Sequence, residues 1–345
     1  MKLLSNSTSV RHLSAGRFFV TAAILATLLP ACRRSEPVKL LGEAQGTYYS
    51  ILYFDPQQRN LQPQVDSLLD AFDRSASLWV DSSLLRRVNA NLADTLDDIL
   101  LTLLRHSLDV ERYTQGAFNC RVGRIVQTWG FSFKQRSEPD STALTAMLAA
   151  AHAPIAIDGR RIVKDPATEL DFNAIAQGYA SDLVAQYLER QGIHSYLVDI
   201  GGEVVSRGTK PDGTPWKVGI EQPAADSLSA PVVHTAIPLT DQAVVTSGSY
   251  RKYYERDGVK YSHTIDPSTA RPVTHSLLSV SVVEKECWLA DAMATAYMVM
   301  GLDSACRFIA AHPGQPGTDA VYFIYDSCGT MKTHATPAFD QLIIK

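Results

Sequence analysis

The chain has 345 residues, 46% of them hydrophobic and 20% charged, a balance that excludes a disordered or fibrous protein. Its net charge of −4, without a basic stripe carrying interleaved aromatics, gives no nucleic-acid partner to expect. The length suits one large domain or two modest ones with ample core.

Arg11, His12 and Arg17 precede the apolar run FFVTAAILATLLPAC, residues 18–32. A basic region followed by a short apolar one is the pattern of an export signal, and the run is short for a membrane span. Leu29-Pro30-Ala31-Cys32 resembles a bacterial lipobox, whose cysteine is acylated and becomes the new N-terminus, although Pro30 is not the commonest residue there. The alternative is a signal cut elsewhere with an incidental cysteine. The expected organisation is a signal peptide over 1–31, a tether over 32–43 and one domain over 44–345. Cys32 would then hold the chain at the periplasmic side of the cytoplasmic membrane. Cys120, Cys287, Cys306 and Cys328 match no metal-ligand spacing, and both disulfides and buried free thiols stay open.

From GTYYSILYF, residues 46–54, alternation of aromatic and β-branched residues predicts a first strand. Leu61, Val65, Leu68, Leu69 and Phe72 have helical spacing. A second helix is expected in DTLDDILLTLLRHSLDVERYTQG, closed by Gly116, and a hairpin turning at Asp158-Gly159 in APIAIDGRRIVKDP. AIAQGYASDLVAQYLERQG reads as a third helix capped by Gly192, followed by strands in SYLVDIGGEVVSRG and WKVGIEQP. Further strands are expected around a turn at Asp257-Gly258, and AVYFIYDS and FDQLIIK read as late strands. Helices and antiparallel-looking strands without strict βαβ repetition predict an α+β fold, with a mixed, largely antiparallel sheet and packed helices.

Phosphate-loop, dinucleotide-fingerprint, H-E-x-x-H, nucleophile-elbow and EF-hand patterns are all missing from the sequence. What stands out instead is polar residues set in apolar or glycine-rich segments. ECWLADAMATAYMVMG reads as a buried helix, yet it carries Asp291, with Thr295 one turn on along the same face. A carboxylate there is costly unless paired or bound. Asp171 stands where a strand gives way to a helix and is locally readable as an N-cap. Gly201-Gly202 permits either close backbone approach to a ligand or an ordinary tight turn. VVTSGSYRKY gathers Thr246, Ser247, Gly248 and Ser249, and YSHTIDPSTARPV places His263 and Asp266 at a strand end.

In order and spacing these segments resemble the ApbE family of FAD:protein FMN transferases. The resemblance runs over nearly the whole mature chain, through Gly46-Thr47, WVDSSLLRRVN, GAFNCRVGRIVQTWGF, LDFNAIAQGYA, VDIGG, TSGSY, SHTIDP and ADAMAT. It implies a magnesium ion gripping the FAD pyrophosphate, held by Asp291, Thr295 and the backbone carbonyl of Ala174. It implies FAD contacts at Gln45, Trp79, Ala117, Phe118, Asn119, Asp171, Gln177 and Ile265, with Thr246, Ser247, Gly248 and His263 at the flavin end. Trp79 and Phe118 suit flavin or adenine rings, though either fits a core as well.

The implied reaction is attack of a threonine hydroxyl of a partner protein on the FMN-side phosphorus of FAD, releasing AMP. Either His263 or Asp291 would take the proton. Flavinylated electron-transfer subunits are the implied acceptors. The chain departs from the family pattern at Gln45, Leu84, Asn119, Gln177 and Ala270, and Gln177 removes a positive charge beside the pyrophosphate. Two rival readings follow, an FAD pyrophosphatase with water as acceptor and a non-catalytic FAD-binding lipoprotein.

Overall fold

Alternation along TYYSILY sends Tyr49, Ile51 and Tyr53 into the main core, while Leu52 faces a second one. This two-faced burial recurs along the central sheet and sets the architecture. The computed structural model describes residues 36–131, 139–223, 232–249, 253–256 and 259–344, without the side chains of residues 253–262. The export signal, Cys32 and the turn expected at Asp257-Gly258 lie outside the described residues.

In chain order the elements are β1 (Val38–Ala44), β2 (Thr47–Tyr53), α1 (Gln62–Ala76), α2 (Leu84–Asn89), α3 (Asp98–Tyr113), α4 (Gly123–Thr128), α5 (Ser141–His152), β3 (Ala156–Asp158), β4 (Arg161–Val163) and α6 (Ala176–Arg190). Then come β5 (Tyr196–Ile200), β6 (Glu203–Arg207), β7 (Trp216–Gln222), β8 (Val232–Leu239), β9 (Ala243–Gly248), β10 (Tyr253–Arg256), β11 (Val259–Ser262), β12 (Ile265–Asp266) and β13 (Arg271–Pro272). The chain ends with β14 (Leu277–Glu284), α7 (Cys287–Met300), α8 (Leu302–Ala311), β15 (Ala320–Ser327), β16 (Thr330–Ala335) and α9 (Pro337–Leu342).

Eight strands form one sheet in the order β1-β2-β5-β6-β9-β14-β15-β16. Every neighbouring pair in it is antiparallel. Helices α6 and α7 pack on one face, over Tyr196, Val198, Ile200, Ala243, Val245, Val280 and Val282. The other face carries the smaller core of Val204, Val244, Val283, Tyr322 and Ile324 under Trp216, Ile220, Ile237 and Leu239 of the β7–β8 hairpin. The α+β expectation holds, and the sheet is antiparallel throughout.

Two local expectations are corrected. The stretch expected as a tether over 32–43 contains most of β1, which pairs with β2 from Val38↔Tyr53 to Ala44↔Thr47. The turn between them, Gln45-Gly46, has both φ positive, at 53° and 73°, as a primed hairpin turn requires. The strand was hard to see because it is an edge with only Leu40 buried. FDQLIIK was expected as a strand, but helix α9 runs through Leu342. Pro337 starts it at a position where a missing N–H costs nothing, and Phe339 buries its ring stacked on Tyr322 at 5.0 Å. All four described cysteines are free thiols, with Cys120 and Cys287 buried.

Candidate active site

Helices α6 and α7 lack side-chain caps at their own N-cap residues, Ile175 and Glu286. Each is capped by the other instead. Asp182 of α6 accepts from the backbone N–H groups of Cys287 and Trp288 at 3.1 and 2.9 Å. Asp291 of α7 accepts from the N–H of Gly178 in the first turn of α6 at 3.1 Å. The exchange requires the helices to touch. A Cβ on Gly178 would lie 2.6 Å from the Cys287 carbonyl oxygen and 2.8 Å from the Asp291 Cβ, so glycine alone fits.

This explains how Asp291 survives burial, at 5% exposed, but it satisfies only part of the carboxylate. Burial pushes its pKa from 3.8 to about 7, with Asp182 raising it further and the Gly178 N–H opposing. Asp182 is likewise raised to about 7, mainly by burial. Thr295 faces the end of the sheet, its hydroxyl 3.4 Å from that of Ser247.

Asp171 is not a helix cap. Its N–H donates to the Cys120 carbonyl at 2.7 Å and its Oδ1 accepts from Asn173 N–H at 2.8 Å, before α6 begins. Burial pushes this carboxyl up to about 6. The Asn119 amide donates to the Ala151 carbonyl at 3.1 Å and accepts from the Arg121 N–H at 2.7 Å. An ionised aspartate there would lose the first of these bonds, so the asparagine suits this loop. Phe118 is a core residue at 1% exposed, whereas Trp79 stands 59% exposed at the rim. Both glycines of Gly201-Gly202 have positive φ, and a Cβ on Gly201 would come within 2.9 Å of the Gln177 amide nitrogen. That turn is therefore both tight and closely approached.

Asp171, Gln177, Gly201, Gly202, Asp291 and Thr295 open on one cavity of about 790 Å³ at the end of the sheet. Its wall includes every residue expected to hold FAD or the cation: Gln45, Trp79, Ala117, Phe118, Asn119, Asp171, Ala174, Gln177, Thr246, Ser247, Gly248, His263, Ile265, Asp291 and Thr295, while Ser249 and Asp266 lie outside it. Thr246 and Ser247 reach it from opposite faces, since Thr246 bonds Ser281 at 2.7 Å while Ser247 meets Thr295. The sequence reading missed Tyr48, Asp73, Asp199, Lys217 and Glu221, which share the wall. Asp199 alternates with apolar residues in YLVDI, a signal that was available but shared with ordinary solvated strand faces.

The lining would suit a pyrophosphate only in the company of a cation. Carboxylates at Asp73, Asp171, Asp199, Glu203, Glu221 and Asp291 face Lys217 as the lysine or arginine among the described lining residues. An unaccompanied pyrophosphate would be repelled there. No group of three His, Cys, Asp or Glu side chains forms a metal cluster among the described residues. A site of one carboxylate, one hydroxyl and one carbonyl instead matches Mg²⁺, which keeps waters and phosphate oxygens as ligands. The side-chain amide of Gln45 is buried with no hydrogen-bond partner among the described residues. Such a group is costly unless a ligand supplies the partner.

Comparison with known proteins agrees with this geometry. The family model for the ApbE family matches residues 45–321. The FAD:protein FMN transferase of Vibrio cholerae serotype O1 is 36% identical over 299 residues, covering 83% of this chain and 88% of the relative. That of Escherichia coli K12 is 33% identical over 356 residues, covering 98% and 97%. The apo crystal structure of the Pseudomonas stutzeri flavinyl transferase ApbE superposes with a TM-score of 0.78 at 33% identity, over 89% of this chain and 96% of that one. The fold and the cavity thus define a flavin-transferase-like α+β protein. The chain belongs to the ApbE family.

Proposed function

We propose that the chain is a Mg²⁺-dependent FAD:protein FMN transferase, joining FMN to a threonine of a partner protein and releasing AMP. The observation that carries the reading is the buried Asp291 carboxylate, half satisfied by α6 and turned to an acidic cavity beside Thr295. The relatives named for this activity cover most of the chain, which supports it.

Asp291, Thr295 and the Ala174 carbonyl would hold the cation, which neutralises pyrophosphate charge when bound. Asp171, Gln177 and Gln45 line the FAD path, and Trp79 offers a ring face at the rim. His263 takes the proton of the attacking hydroxyl, because its ordinary pKa is near neutral and Asp291 is committed to the cation. Positioning on two mutually capped helices and the sheet end supplies much of the acceleration. Acylation at Cys32 would tether the domain at the periplasmic side of the cytoplasmic membrane, near electron-transfer subunits that carry covalent flavin. The basic and apolar segment before Cys32 supports that placement.

The test is intact-mass spectrometry of a protein acceptor mixed with the enzyme, FAD and Mg²⁺. A gain of one FMN on a threonine, with equal AMP, is expected. FMN and AMP free in solution, with the acceptor unmodified, would make the protein an FAD pyrophosphatase. Bound FAD that is never split would leave a flavin-binding protein.

A further inference from the structure

The cavity is lined from both faces of the sheet end, a helix-side lobe and a far lobe, and the proposed FAD site uses the first. Along β5, Val198 and Ile200 face the helices while Leu197 packs with the opposite core. Along β9, Val245 faces the helices and Val244 does not. Asp291, Thr295, Gln177 and Asp171 belong to the helix side. On the far side a second lobe has an apolar floor of Leu197, Val204 and Val244, walled by Val218 and Ile220 of β7. Asp199, Lys217 and Glu221 give it a polar rim.

The strand between the lobes has an open edge. β6 pairs with β9 at Val204↔Val244 and Val205↔Ala243, whereas β14 follows β9 out to Ser279↔Gly248. Gln242 points its carbonyl to Ser206 on the β6 side, and Ser249 points its N–H to Leu278 on the β14 side. Even-numbered residues of β9 therefore present their main-chain groups toward β6. At Thr246 and Gly248 β6 has already turned away through Gly202, so among the described residues those groups meet the cavity.

We propose that the far lobe seats the acceptor polypeptide as an extended segment along this β9 edge. The inference rests on the transferase reading above. An open strand edge is matched by another extended chain, whose amides complete the ladder. Exposed apolar side chains accompany the wall: Tyr48, at 53%, lines the cavity, and Val232 and Val233, at 58% and 61%, pair on β8 with Gln222 and with the lining Glu221. From the far lobe a hydroxyl reaches past Gly248 to the helix side. Its oxygen bonds the FMN-side phosphorus, the bond from that phosphorus to the AMP oxygen breaks, the electron pair leaves with AMP, and the proton passes to His263.

Lys217→Glu and Val218→Tyr test the lobe, using a protein acceptor of the Vibrio cholerae relative as probe. Lys217 is exposed, so its variant reads the lobe without disturbing the core. Both variants are expected to raise the acceptor KM about ten-fold while FAD affinity and FAD splitting in water stay as in the wild type. An unchanged acceptor KM in both would overturn the proposal. Weakened FAD binding in both would also overturn it, by giving the lobe to FAD. A wild-type enzyme that splits FAD yet leaves the acceptor unmodified would defeat the transferase reading itself, a failure visible before any variant is made.

Discussion

His263 and Ala270 show how single residues carry opposite kinds of consequence. His263 lines the cavity with Ile265 and Gly248, and the role proposed for it, proton acceptor, is chemical. His263→Ala is expected to lower turnover by about 10²–10⁴-fold while FAD affinity stays unchanged. A variant that loses FAD binding and turnover together would show a binding residue instead. Ala270 stands where the resemblance to the family pattern implies glycine, and it adopts φ 53° while fully buried. Its carbonyl accepts from the Trp129 indole at 2.8 Å, which fixes that backbone. The left-handed conformation costs an alanine about 1–2 kcal/mol. The buried methyl returns roughly 1 kcal/mol. Ala270→Gly is therefore expected to stabilise the protein slightly, by less than about 1 kcal/mol in urea denaturation. A loss of about 2 kcal/mol or more would mean that the methyl's packing outweighs the strain.

Among the elements, α6 and α7 matter most, because their exchanged caps make one unit of the proposed cation site. Asp182 gives this unit a pH signature. Its folded pKa of about 7 lies above the ordinary 3.8, so the fold takes up a proton well before the unfolded chain does. Stability from this group is present at low pH and is lost as pH rises through about 7. Between pH 8 and 5.5 the wild type is expected to gain on the order of 1–2 kcal/mol relative to Asp182→Asn. Parallel pH profiles for the two proteins would contradict it.

The helices themselves were legible, since Val65, Leu69 and Phe72 of α1 keep a helical period and α7 is an apolar run too long for a strand. Their caps were not, because Asp182 and the N-terminus of α7 are joined only by tertiary packing. β1 and α9 were misjudged for local reasons. β1 is an edge strand with little burial to pattern it. α9 is so short that Phe339, Leu342 and Ile343 read equally as an apolar strand.

Across the whole molecule, one cavity gathers segments far apart in sequence, from Gln45 to Thr295. Its helix side was legible because carboxylates and hydroxyls in apolar or glycine-rich surroundings are conspicuous, as at Asp291. The far lobe was hidden because Leu197, Val218 and Val244 look like any strand residues until the β7–β8 hairpin is placed beside the sheet. The central claim is that the α6–α7 unit binds FAD through a cation at Asp291. Its most direct measurement is the FAD dissociation constant with Mg²⁺ and with EDTA, for the wild type and Asp291→Asn. Asparagine keeps an oxygen for the Gly178 N–H, so the helices stay capped. Mg²⁺ should tighten FAD binding by about ten-fold or more in the wild type and not in the variant. Equal FAD affinity in Mg²⁺ and EDTA for the wild type would contradict the account.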